Sequence, residues 1–242
     1  MAVGTTVASV APARVWLVTG AGSGIGYALC RAVLDNGGRV VATARDTNRL
    51  TALLDEHGDR CCAVKLDVAD SGSIERAVGE ALTKAGQIDV LVNNAGWNRI
   101  GAIGDIAPDV ARAVFETNFF GPLALIRQLL PHFIRRGSGH IVNMSSIAGI
   151  RGMPAFGLYS ASKFALEGLS EALLGEVGEL GIGVTIVEPG PYRTEFRDRS
   201  LSDADVTAAY QPTVGRIIDG LNTDDGLSSG DPREAASAIV RA

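Results

Sequence analysis

The chain has 242 residues, 46% of them hydrophobic and 20% charged, with a formal net charge of -5. That is enough apolar material for one domain of α/β size spanning residues 1–242. The acidic balance and the lack of a Lys/Arg run argue against a nucleic-acid or anionic-membrane partner. Cys30, Cys61 and Cys62 form neither a disulfide framework nor a CxxC zinc spacing, so no metal site is expected. No basic segment followed by an apolar one opens the chain, and no run approaches the ~18 apolar residues of a membrane span. The default reading is a cytoplasmic protein.

The elements alternate. "RVWLVT" reads as a first strand ended by glycines, and "IGYALCRAVLDNGG" as a helix closed by Gly37 and Gly38. "RVVATA" is a second strand, "NRLTALLDEHG" a helix, "CCAVKLDV" a third strand. "SGSIERAVGEALTKAG" is a helix with Ser71 or Ser73 as its cap. "IDVLVNNAG" is a fourth strand. Residues 109–136 read as one long helical stretch, interrupted on paper by Gly121-Pro122. "GHIVNMSS" is a fifth strand, "YSASKFALEGLSEALLGEVGEL" the next helix, "IGVTIVEPG" a sixth strand, and "DPREAASAIVRA" a last helix. Val/Ile-rich strands each followed by a helix imply βαβ units: a doubly wound parallel sheet with helices on both faces, three layers in all.

Two stretches carry chemistry. "TGAGSGIG" (Thr19 to Gly26) joins a strand to a helix, where glycines let backbone N–H groups approach a phosphate. Its spacing is not G-x-G-x-x-G, and it lacks a P-loop Lys. "YSASK" places Tyr159 one helical turn before Lys163. A nearby cation favours the charged form of an acid, so Lys163 is expected to bring the Tyr159 phenol down toward neutrality, where it exchanges protons near pH 7.

These motifs together resemble the short-chain dehydrogenase/reductase family. The family's TGxxxGxG is Thr19 to Gly26, its NNAG is Asn93 to Gly96, and its Ser and YxxxK are Ser146 and Tyr159-x3-Lys163. Its helix Asn is Asn118, and its PG-x-x-x-T is Pro189 to Thr194. The match runs from about residue 14 to residue 194 in the family's order. One departure stands out: the family ends with a seventh strand, whereas this chain stops at Ala242 within the helix that should precede it.

The resemblance implies an oxidoreductase passing hydride between NADP(H) or NAD(H) and a small-molecule alcohol/carbonyl pair. Tyr159 would be the acid/base, Lys163 would lower its pKa and hold the nicotinamide ribose, and Ser146, rather than the neighbouring Ser145, would bond the substrate oxygen. Asn118 would carry a water linking Lys163 to solvent. Gly20, Ser23, Gly24, Ile25, Gly26, Asn93, Ala95, Gly96, Pro189, Gly190 and Thr194 would line the cofactor. At the end of strand two, family counting puts Ala44 where NAD-preferring relatives carry an acid, and Arg45 follows, which favours NADP(H); otherwise Asp46 takes the ribose. Asp67 and Val68 would flank the adenine, unless Asp67 caps the next helix. Trp97, Asn98, Gly152 to Phe156, and Tyr192 within a loop of about residues 191–215 would wall the substrate pocket. Phe156, Phe196 and Tyr210 point to an apolar substrate, as in the retinol- and steroid-type members that "EPGPYRTEF" resembles. Pairing into a homodimer or homotetramer through the Asn118 and Lys163 helices is also implied. The rival readings are a dinucleotide sensor or scaffold without turnover, and an epimerase or dehydratase on the same scaffold.

Overall fold

A computed structural model describes residues 13–192, 200, 206–223 and 230–242. Six strands, β1 (Val15–Val18), β2 (Arg39–Ala44), β3 (Cys61–Lys65), β4 (Val90–Asn93), β5 (Gly139–Met144) and β6 (Ile182–Val187), form one sheet. Its order is β3-β2-β1-β4-β5-β6, and every pairing is parallel.

Strand alternation sorts the side chains into two cores. Val15 and Leu17 of β1 join the core under α3 (Ser71–Ala85), α5 (Gly121–Arg136) and α6 (Gly157–Val177). Trp16 and Val18 join the opposite core, under α1 (Gly24–Asp35) and α2 (Thr51–His57). Ala236 and Ile239 of the last helix complete that second core. Both faces are covered, as an all-parallel sheet requires. The doubly wound, three-layer expectation is met.

The helical stretch at residues 109–136 departs in an informative way. It is α4 (Pro108–Phe115), a single π-helical turn (Glu116–Phe120) and then α5, with no break. Pro122 has no N–H to give the Asn118 carbonyl, its i−4 partner in a regular helix. The chain absorbs this as one widened turn, a form that recurs at functional sites. The cap of α3 is Asp70, which accepts from Gly72 N; Ser73 lies inside the helix and accepts from Asp67 N. Neither predicted serine is the cap.

Beyond β6, the described parts are α7 (Arg216–Thr223), preceded by a short widened turn (Gln211–Gly215), and α8 (Pro232–Arg241). A parallel bridge between Tyr192 and Gly230 ties the two ends of that region together. Among the described residues β6 is an edge strand with no neighbour beyond it. A third, small core of Ile100, Ala102, Ala155, Val214 and Ile218 holds α7 over the loop that follows β4.

Candidate active site

The chain runs from β1 through β2 to β3 on one side, then returns to β4 on the other. The resulting crevice lies at the carboxyl ends of β1 and β4, where such sheets bind ligands. The turn from Thr19 to Gly26 occupies it. Gly20 and Gly24 hold φ of +65° and +57°, conformations that side chains rarely adopt. Ser23 is the extended N-cap of α1, and the first turn of α1 carries no acidic residue. A phosphate placed there would meet a helix N-terminus with no acidic residue in its first turn.

The NNAG segment locks this turn in place. Thr19 Oγ donates to Val92 O at 3.2 Å and accepts from the backbone N–H groups of Asn94 and Ala95, both at 2.9 Å. Asn94 Nδ2 donates to Thr19 O at 2.7 Å. A Cβ at Gly26 would collide with Asn94 Nδ2 and Gly20 O, so that position has room only for glycine. Thr19 and Asn94 went unnoticed as site residues, although both stand inside the quoted motifs. Asn93 faces the other way. Its amide donates to Asn143 Oδ1 at 2.8 Å, and Asn143 donates to Ser170 Oγ on α6 at 2.8 Å. The Asn93 Oδ1 is enclosed without a hydrogen-bond partner among the described residues. Ala95 is partly buried and Gly96 exposed where the segment leaves β4.

The predicted catalytic residues converge at the end of β5. Ser146 caps a short 3-10 turn (Ile147–Gly149) by accepting from Ala148 N at 3.1 Å. Lys163 is buried; its Nζ donates to Met144 O at 2.6 Å and lies 5.7 Å from the centre of the Tyr159 ring. Asn118, 0% exposed, uses its whole amide: Oδ1 accepts from Trp97 N at 2.8 Å, and Nδ2 donates to Trp97 O at 2.7 Å and Ser162 Oγ at 3.0 Å. A water at Asn118 would thus have to use its main chain.

The phenol does not behave as the Tyr159–Lys163 spacing alone implies. Burial pushes Tyr159 up to about 12, with a hydrogen bond to Ser146 acting in the opposite sense. Burial also pulls Lys163 down to about 8, and the Glu167 carboxylate opposes that fall. Desolvation outweighs the attraction that the sequence suggested.

At the end of β2, Ala44 is buried while Arg45 and Asp46 are exposed. Asp46 is engaged as a cap, accepting from Asn48 N at 3.1 Å. A residue absent from the sequence reading appears here. Arg49, on the 3-10 turn (Thr47–Leu50), places its side chain 3.4 Å from where a Gly22 Cβ would stand, a point 3.6 Å from the Ala44 Cβ. Only the 3-10 turn reveals it. Asp67 accepts from Ala69 N at 3.0 Å, so its carboxylate closes its own turn and does not cap α3. Val68 is buried against α5, with its carbonyl where a Gly121 Cβ would be.

On the substrate side, Phe156 packs on the third core, and Ala155 holds a φ of +68° while its carbonyl accepts from Gly101 N at 2.9 Å. Such strained backbone gathers at ligand sites. Asp105 ties the loop after β4 to the far segment, accepting from Thr207 N at 2.9 Å and Thr207 Oγ1 at 3.1 Å. Trp97 and Tyr192 are partly exposed; Pro189 accepts from Ile147 N at 3.1 Å, and Gly190 is exposed beside it. Thr194 and Phe196 lie outside the described residues.

The family model for short chain dehydrogenases matches residues 14–205. The chain belongs to that family. Among curated relatives, Oxidoreductase BOA17 of Botryotinia fuckeliana is 36% identical over 229 residues, covering 94% of this chain and 84% of the relative. Dehydrogenase/reductase SDR family member 7B of Bos taurus is 41% identical over 189 residues, 74% of this chain but only 58% of the relative's length. Among solved structures, a short-chain dehydrogenase from Streptomyces avermitilis superposes with a TM-score of 0.85 at 41% identity, covering 96% of this chain and 84% of its own. A metagenomic short-chain oxidoreductase in complex with NADP superposes with a TM-score of 0.70 at 35% identity, covering 74% of this chain and 83% of its own. Like its short-chain dehydrogenase relatives, this chain is an oxidoreductase of CH–OH and C=O groups.

Proposed function

We propose that this short-chain dehydrogenase interconverts an alcohol and a ketone or aldehyde with NADP(H), on a small, largely apolar substrate, with Tyr159 as acid/base. The observation that carries the reading is the meeting of Ser146, Tyr159 and Lys163 at one strand end. The glycine turn fits a dinucleotide: its backbone is held open where a Cβ would fill it, and α1 presents an uncountered N-terminus. Arg45 and Arg49 are the cations suited to a 2′-phosphate, and no carboxylate stands at Ala44 to repel it. NAD(H) remains the alternative cofactor. When bound, the nicotinamide supplies or accepts the hydride.

The chain's own residues do the rest. A phenol pushed up to about 12 is protonated at neutral pH, which suits a proton donor to a carbonyl oxygen. The Ser146 hydroxyl supports charge on that oxygen. The Lys163 ammonium steadies the phenolate left behind, and its Met144 contact keeps it at the base of the site. Apolar walls from Phe156 and the third core favour a substrate with little polarity beyond its reacting group.

A panel of aldehydes and ketones, watched at the NADPH absorbance band, tests this reading. Oxidation of NADPH with one class of carbonyl supports it. Tight dinucleotide binding with no turnover points to a sensor, and product formation without net cofactor change points to an epimerase or dehydratase.

A further inference from the structure

Directly behind the catalytic set lies a carboxyl group that the reaction does not call for. Glu167 stands one helical turn after Lys163 on α6 and is 8% exposed. Its Oε1 is fully enclosed, as is the Ser145 Oγ, and that hydroxyl is the polar side chain that supports the carboxylate. These two atoms meet at one spot: a Cβ built on Gly149 would press on both of them. Ser145 and Gly149 flank Ser146 on either side of its turn. Enclosing a carboxyl oxygen with a single hydroxyl beside it is costly, so one kept at this position calls for a role.

We infer that Glu167 is a positioning residue for the catalytic lysine: from α6 it braces the Ser145–Gly149 turn and presents its carboxyl to Lys163, holding that side chain charged against the end of β5. The inference rests on the reading of Lys163 as a catalytic group. Among the described residues Lys163 Nζ donates to the Met144 carbonyl, which is neutral. Glu167 is the charged group that acts on it. Around Glu167 itself stand Lys163 and Glu171 on the same helix, Glu188 just past β6, and the Ser145 hydroxyl. Burial and the two other carboxylates favour its neutral form, while Ser145 and Lys163 favour its anion. As pH rises Glu167 therefore becomes charged, and its charge in turn delays the deprotonation of Lys163. A carboxylate that only filled space would leave Lys163 unaffected.

The chain contains three lysines, Lys65, Lys84 and Lys163, so each is separately observable. The test is an NMR pH titration of cofactor-free protein carrying 13C-labelled lysine, assigned with Lys65→Arg and Lys84→Arg. In Glu167→Gln, the Lys163 midpoint is expected to fall by about 1–2 pH units, the effect of one charge roughly 6 Å away at an effective dielectric of about 20–40. Lys65 and Lys84 should not move. Ser145→Ala, which removes a group favouring the Glu167 anion, should move Lys163 in the same direction by less. The unsubstituted protein provides a third reading: its Lys163 resonance should carry an earlier inflection as Glu167 loses its proton. A Lys163 titration unchanged by both substitutions overturns the inference, as does the absence of that inflection should Glu167→Gln not fold. No readout here depends on turnover, so a failure of the oxidoreductase reading shows separately, in the carbonyl screen.

Discussion

Lys163 spans from α6 to the end of β5, where its Nζ donates to the Met144 carbonyl at 2.6 Å, two residues before Ser146. The bond joins the helix that carries Tyr159 to the strand end that carries Ser146. It also fixes a buried charge, with a consequence for stability. The ordinary lysine value is 10.5, and burial brings Lys163 to about 8. Between those values the unfolded chain holds a proton that the folded chain has released, so stability rises with pH. Below pH 8 the full cost of the buried charge is present. Compared with Lys163→Met, the unsubstituted protein should therefore gain about 1–2 kcal/mol between pH 7.5 and 9.5. Urea midpoints of both proteins across that range check it; a constant difference would show that Lys163 does not titrate there.

Tyr159→Phe removes one oxygen and keeps the ring. Turnover should fall by at least about 10²-fold, the usual contribution of a positioned acid/base. Dinucleotide affinity, read by fluorescence, should change little. Retained activity would remove Tyr159 from the mechanism.

Asn118 should act through structure. It is 0% exposed, and three hydrogen bonds tie its side chain to Trp97 and Ser162. Asn118→Ala removes the partners of the part-buried Trp97 N–H and carbonyl and of Ser162, at a cost of roughly 1–3 kcal/mol. Thermal melting checks the loss. A variant as stable as the parent would mean that the π-helical turn closes around the gap.

How far these features could be read in advance depends on what creates them. The turn at residues 19–26 was legible because glycine's freedom is covalent: Gly20 and Gly24 hold positive φ, and Gly26 admits no Cβ. The six strands were legible from Val/Ile runs bounded by turns, with ends off by a residue or a few: β3 stops at Lys65, not at Val68. The residues that meet at the end of β5 were legible, but their electrostatics were not. Tyr159 rises where its spacing from Lys163 implied a fall, because burial is a property of the whole fold. Arg49 was missed because only a 3-10 turn brings it into place; Glu167 follows Lys163 at helical spacing, but only the approach of Gly149 shows where its carboxyl sits.

Self-association is expected from the surfaces of the helices around the site. Phe120 is 47% exposed, Phe164 47% and Leu174 48%, a large apolar area for helices that already pack on the sheet. Light scattering should return at least twice the 25.1 kDa chain mass. Phe164→Glu should shift it toward the monomer. A monomeric parent at micromolar concentration would contradict the pairing.

On the proposed reading, cofactor choice is expected to turn on two arginines. Arg45 and Arg49 are both exposed, and the Arg49 side chain lies beside Gly22 in the glycine turn. A 2′-phosphate carries close to two negative charges, and an arginine can bind it with two parallel hydrogen bonds. Such contacts are worth about 1.5–3 kcal/mol, and at a water-exposed edge the lower half of that range applies. Arg45→Ala and Arg49→Ala should therefore each weaken NADPH by about tenfold, with NADH nearly unchanged. The preference should shrink as salt rises, because the contact is screened. Ala44→Asp should go further and favour NADH, since it adds a ribose acceptor and repels the phosphate. Asp46 is a poor substitute for that acceptor because it already caps the 3-10 turn. Dissociation constants for both cofactors, measured by fluorescence at two ionic strengths, decide the matter. If the parent already prefers NADH, or if both arginine variants weaken the two cofactors equally, the end of β2 reads the ribose rather than a phosphate.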